Sequence, residues 1–117
     1  MKRRVVVTGM GAVTPVGNDV ATMWRSLVEG KSGAGPITKF DASTFEVRFA
    51  CEVKGFDAMN YMDRKEAKRA DQFTQYAVAA SRQAMDDAGF GGGTGYDPNN
   101  TGVVIGSGIG GLKIFEE

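Results

Sequence analysis

Three sets of residues in this sequence have types and spacings that could do chemistry. Gly106, Gly108 and Gly111 fit G-x-G-x-x-G directly after the strand-like run Val103, Val104 and Ile105. That is the spacing with which a tight backbone turn approaches the pyrophosphate of a dinucleotide. Lys65, Lys68 and Arg69 stand at i, i+3 and i+4, so a helix presents three cations together, suited to an acidic partner. Cys51 is the one thiol, and the sequence contains no histidine. An intrachain disulfide, a cysteine-rich zinc site, a histidine-ligated metal and any Ser-His or Cys-His catalytic pair are thereby excluded within this chain. No catalytic or metal-binding set is expected in it.

The glycine cluster needs more than its spacing. A dinucleotide site follows the first strand, opens a helix that receives the pyrophosphate, and has an acidic residue about 20 positions later for the ribose. Here the motif follows the last strand-like run, and the sequence ends before such a partner. At the first run, "TGMGAVTP" supplies Gly9 and Gly11, but Thr14 holds the third glycine position. A turn between strand and helix is the stronger reading in both places, with a dinucleotide-binding domain kept as an alternative.

The elements that must position these residues follow from periodicity. Val5 to Thr8 is a short apolar run between the basic edge Lys2, Arg3, Arg4 and Gly9, the pattern of a strand buried on both faces. Asn18 or Asp19 can cap a helix in which Val20, Met23, Trp24, Leu27 and Val28 share a face, with Gly30 ending it. Trp24 is assigned to packing. In "EVRFACEVKGF", Val47, Phe49, Cys51 and Val53 alternate with Arg48, Glu52 and Lys54, which predicts a half-buried strand with Cys51 on its apolar face. Asp63 and Glu66 have capping-box spacing at the start of "DRKEAKRA".

A longer helix is predicted from about Asp71 to Ala88. Phe73, Tyr76, Ala77, Ala80, Ala84 and Ala88 form its packing face, and their small size allows a close approach to a sheet. Gly89 is placed as a left-handed stop, with Phe90 folding back. "GGGTGYDPNN" reads as a surface turn and "TGVVIGSG" as a closing strand. This order gives an α/β layered fold. With 14 basic and 14 acidic residues, the charge balance makes no global case for nucleic acid. The glycines and Pro15 interrupt the N-terminal apolar run, no membrane-length stretch follows, and a cytoplasmic protein is expected.

Taken together, "RRVVVTGMGAVTPVGNDVATMWRSLVEGKSG", "RKEAKRADQFTQYAVAASRQAMDDAG" and "VVIGSGIGG" resemble, in order and spacing, the N-terminal part of the β-ketoacyl-acyl-carrier-protein synthases, most closely those of type II. The resemblance covers essentially the whole chain. It implies a thiolase-like layered α/β fold, of which residues 1–117 are an incomplete N-terminal domain within the first half. The activity it implies is an acyltransferase reaction, the decarboxylating Claisen condensation that elongates fatty acyl chains from malonyl carrier protein, with no cofactor.

The family's cysteine nucleophile and two histidines lie in segments this chain does not contain, so the chain alone is expected to be inactive. Cys51 is read as a buried structural residue, because desolvation disfavours a thiolate there. In type II members the residue between the glycines of "GSGIGG" lines the acyl pocket. Ile109 takes that position here, beside Gly108, whereas type I members tend to carry glycine in place of Ile109.

By the same resemblance, Lys65, Lys68 and Arg69 match the basic helix that docks the acidic acyl carrier protein, with the last two in Lys-Arg order where relatives can have Arg-Lys. The implied partners are acyl carrier protein and acyl and malonyl thioesters, with a homodimer for the full-length protein and neither nucleic acid nor membrane. A non-catalytic carrier-binding module and a polyketide chain-length subunit are the other readings of the same fold.

Overall fold

The computed structural model describes residues 2–111. The chain divides into two compact units, one formed by residues up to Gly11 together with those from Asp57 onward, the other by Ala12–Phe56.

In the second unit the loop after Gly11 is pinned by reciprocal backbone bonds between Thr14 and Gly17, at 2.9 and 3.2 Å. It leads into helix α1, Val20–Val28. Of the two candidate caps, Asp19 is the one used: its Oδ1 accepts from Thr22 N at 2.7 Å and its Oδ2 from Thr22 Oγ1 at 2.8 Å, satisfying a backbone donor of the first turn. Gly30, at φ 69°, ends the helix with Lys31 N bonded to Ser26 O and Gly30 N to Leu27 O, a Schellman closure that needs the left-handed region.

Strands β1, Gly35–Pro36, and β2, Phe49–Ala50, then pair antiparallel, Gly35 opposite Ala50. Beyond the pairing, Glu52 accepts from Thr38 Oγ1 at 2.6 Å, Thr38 N at 3.1 Å and Lys39 N at 3.4 Å, fixing the far side of the hairpin.

In the first unit a short 3₁₀ turn, Ala58–Asn60, packs on helices α2, Arg64–Arg69, and α3, Gln72–Asp87. Met62 and Ala79 are its buried apolar residues among the described ones. The alanine face of α3 receives the glycines of the N-terminal loop. A Cβ at Gly9 would overlap the Ala84 carbonyl, and one at Gly11 the Ala80 carbonyl, so the backbones meet without side chains between them. Helix α3 stops as its sequence predicts: Gly89 has φ 81°, Gly89 N bonds to Asp86 O, and Phe90 N bonds to Met85 O at 2.7 Å.

Several sequence-based expectations are corrected. Val5–Thr8 and residues 101–108 form no strand among the described residues, and Val5 and Val104 are 91% and 98% exposed. A strand exists through a partner's ladder, and these segments make no such bonds among the described residues. In the 47–53 stretch only Phe49–Ala50 is paired, and burial does not follow the alternation of the sequence: Arg48 is exposed and Val53 half-buried. Val47, Phe49 and Cys51 are exposed, so Cys51 is not the buried residue the pattern suggested. A two-stranded ribbon has nothing to cover its second face. Trp24 is likewise 63% exposed, with Leu27 and Val28 beside it on α1, while Ser26 is the buried residue of that helix.

Candidate functional site

Helix α2 is short, and its start is set by Asp63, whose Oδ1 accepts from Lys65 N and Glu66 N, both at 2.8 Å. The backbone half of the expected capping box is thus present. Its end is tied to α3 by Gln75, whose Nε2 donates to Ala67 O at 2.9 Å and Ala70 O at 3.0 Å. These are carbonyls left without intrahelical partners at a helix terminus. A six-residue helix is too short to persist on propensity, so these attachments hold it in place.

Lys65, Lys68 and Arg69 are all exposed on this helix, and none makes an ion pair among the described residues. Arg64, which the sequence reading left out, is exposed too. At about 100° per residue, positions 64, 65, 68 and 69 fall within an arc of roughly 140°. The signal was available, since Arg64 precedes Lys68 by four. Like charges at this spacing repel, and an anionic partner would relieve that cost. Lys68 and Arg69 stand in the last turn, where the helix dipole favours cations.

The second predicted feature lies alongside. A groove of about 390 Å³ is lined by Arg69, Ala70, Asp71, Phe73, Thr74, Ile109, Gly110 and Gly111. It therefore joins one end of the cationic helix to the glycine segment, bringing Arg69 and Ile109 to one cleft; Gly108 precedes its lining and is exposed. Ile109 is 75% exposed, an apolar side chain at the edge of a cleft that a hydrocarbon could cover.

Gly110, at φ 75°, turns the chain there, its N–H donating to Ser107 Oγ at 3.0 Å. Gly106 and Gly108 have open space around them, and no helix opens behind them among the described residues. Phe73 and Asp71, which line the groove, were read from the sequence only as a packing residue and the start of α3. Side-chain periodicity places them on the helix but says nothing of a loop arriving from residues 107–111.

No helix among the described residues is long and apolar enough to cross a membrane. The chain is 53% identical over 116 residues to 3-oxoacyl-[acyl-carrier-protein] synthase 2 of Synechocystis sp., a match covering 99% of this chain and 28% of that protein. It is 52% identical to the protein of the same name from Vibrio harveyi, over 98% of this chain and again 28% of the relative. Among solved structures, the ishigamide ketosynthase/chain length factor superposes with a TM-score of 0.70 at 42% identity, over 76% of this chain and 22% of that one. The chain thus spans about 28% of the length of these curated relatives. Residues 2–116 match the family described as Beta-ketoacyl synthase, N-terminal domain, and the chain belongs to that family.

Proposed function

We propose that this chain is the N-terminal part of a type II β-ketoacyl-acyl-carrier-protein synthase. In the proposed reaction a cysteine thiolate takes the acyl group from its carrier thioester, releasing the carrier thiol. Malonyl carrier protein then loses carbon dioxide, and the resulting carbanion attacks the acyl-cysteine carbonyl, giving a 3-oxoacyl carrier protein and freeing the cysteine. That cysteine and the two assisting histidines belong to the part of such a protein outside this chain, so the chain by itself carries no condensing activity. The full-length protein is read as a cytoplasmic homodimer with a thiolase-like layered fold.

Two roles fall to residues present here. Lys65, Lys68 and Arg69 dock the acidic carrier protein, and Ile109 lines the acyl pocket, with Gly108 before it as the substrate-binding backbone position. The observation that carries the reading is the match, over 98–99% of this chain, to relatives named synthase 2. The placement of Arg69 and Ile109 on one cleft supports it, because a carrier docked on α2 would deliver its thioester arm beside the apolar wall.

The test is a condensation assay of the complete protein. Reversing Lys65 and Lys68 to glutamate is expected to raise KM for carrier-protein substrates by about tenfold or more with kcat little changed, since rim charges steer and position a partner. Ile109→Phe is expected to shorten the longest acyl chain accepted. Equal kinetics in the first variant would remove the docking role, and an unchanged chain-length profile in the second the pocket role.

The likeness to a ketosynthase/chain length factor favours a second reading, a chain-length subunit of a polyketide system. Such a subunit would share the docking face and the groove but would not form an acyl-cysteine. Mass spectrometry of the complete protein after incubation with an acyl carrier protein thioester separates the two.

A further inference from the structure

We propose that Asp71 is a positioning residue that sets how far Ile109 reaches into the groove; the proposal rests on reading Ile109 as an acyl-pocket residue. The carboxylate of Asp71 stands between two structures. Its Oδ1 accepts from Gln72 N at 2.6 Å at the start of α3. Its Oδ2 is buried without a hydrogen-bond partner among the described residues, and it occupies the space where a Cβ of residue 111 would stand. Glycine at 111 therefore lets the loop descend onto the carboxylate. Helix capping alone does not account for this arrangement, because serine caps about as well and has no second oxygen to bury.

The loop is closed on itself by one hydrogen bond and rests on α3 at its far end. Ser107 Oγ accepts from Gly110 N at 3.0 Å, and Gly111 rests on Asp71. Ile109 is carried between these two points, next to the left-handed turn at Gly110, whose Cβ position would lie 3.8 Å from the Phe73 ring. Helix α3 runs for 16 residues with Ala79 fully buried, so the carboxylate is mounted on a rigid support. Removing it lets the 107–111 turn settle toward α3 and changes the depth left for an acyl chain beside Ile109.

The test uses the complete protein with acyl carrier protein substrates of graded chain length. Asp71→Ser keeps a capping oxygen and withdraws the second one from Gly111. The expected result is a shift of at least about fivefold in the ratio of kcat/KM for long against short acyl chains, on the scale of one or two methylenes in an apolar pocket. A residue that only caps α3 would alter thermal stability and all chain lengths alike, and an unmoved ratio would overturn the proposal.

Gly111→Ala serves as the second variant, since its Cβ displaces the carboxylate. It should also move the ratio, and by less in the Asp71→Ser background, where the space that the Cβ needs is already free; independent, fully additive effects of the two substitutions would count against the proposal. Ile109→Phe is the separate control. An unaltered chain-length profile there overturns the pocket reading and this proposal with it. A shortened profile there, with ratios unmoved in both other variants, overturns the positioning role alone.

Discussion

Single residues in this chain act mainly by where they let backbones meet or by which donors they satisfy. Gly11 is the sharpest case of the first. Its missing side chain leaves room for the Ala80 carbonyl of α3, a backbone atom that cannot swing aside, so Gly11→Ala should destabilise the complete protein by about 1–3 kcal/mol in urea unfolding. Glu52 is a case of the second. Hydrogen bonds from the Thr38 hydroxyl, first, and from the Thr38 amide hold its carboxyl below the ordinary range. Asp41, bonded by Ser43, and Asp19, bonded by Thr22, are lowered in the same way.

A carboxyl whose folded value is depressed contributes stability that is fully present above its unfolded value, about 4 for such groups, and is lost as pH falls through the folded one. All three carboxyls belong to the 12–56 unit. Amide exchange in that unit should therefore accelerate as pH drops below about 4, beyond the intrinsic pH dependence of exchange, and Glu52→Gln should blunt the change around Thr38. Equal behaviour of Glu52→Gln and the unaltered protein would show that the hairpin draws nothing from this carboxylate.

At the scale of elements, α2 depends on its neighbours. Gln75 on α3 supplies the donor for two of its end carbonyls, so Gln75→Ala should free the last turn of α2. Hydrogen exchange of the α2 amides is expected to rise by roughly five- to tenfold, corresponding to about 1 kcal/mol for the lost bonds. Carrier-protein affinity should fall with it if the basic helix docks a partner. Unchanged exchange would mean that Asp63 and side-chain packing suffice.

The helices were legible in the sequence because their signals are local. Asp19 and Asp63 cap where the sequence offered candidate caps, α3 starts at the predicted Asp71, and Gly30 and Gly89 stop helices through the positive φ that their lack of a Cβ permits. The strands were not legible in the same way. Val5–Val7 and Val103–Ile105 carry the apolar character of buried strands, but pairing is a property of two segments, and periodicity reports on one. The 47–53 stretch shows the same limit: its alternation is a property of one segment and does not say what will cover it, and Cys51 is exposed. In the candidate site, the cations and Ile109 could be read from spacing and resemblance. The Asp71–Gly111 contact could not, because it joins residues 40 positions apart through the absence of a side chain.

For the whole molecule, the consequence is an apolar surface out of proportion to the core. Among the described residues, Ala42, Met62 and Ala79 are the buried apolar side chains, while Val5, Val7, Trp24, Val28, Phe49, Val103 and Val104 are exposed. Burial of this kind supplies about 25 cal/mol per Å², and surfaces of this character associate. A 117-residue sample is therefore expected to bind a hydrophobic dye and to elute above its monomer mass in size-exclusion chromatography, with no sharp unfolding transition. A monodisperse monomer that melts cooperatively would show that residues 1–117 stabilise themselves.

The meeting of Gly9 and Gly11 with Ala84, Ala88 and Ala80 also bears on how this sequence is free to drift. The five positions lie in two segments about 70 residues apart, yet they share one clearance between an N-terminal loop and a helix. A bulkier residue on either side consumes space that the other cannot give up, so substitutions there are accepted or rejected as a set. In a deep mutational scan these positions should emerge as a single coupled unit, tolerant of serine or alanine on the helix only while glycine is kept opposite.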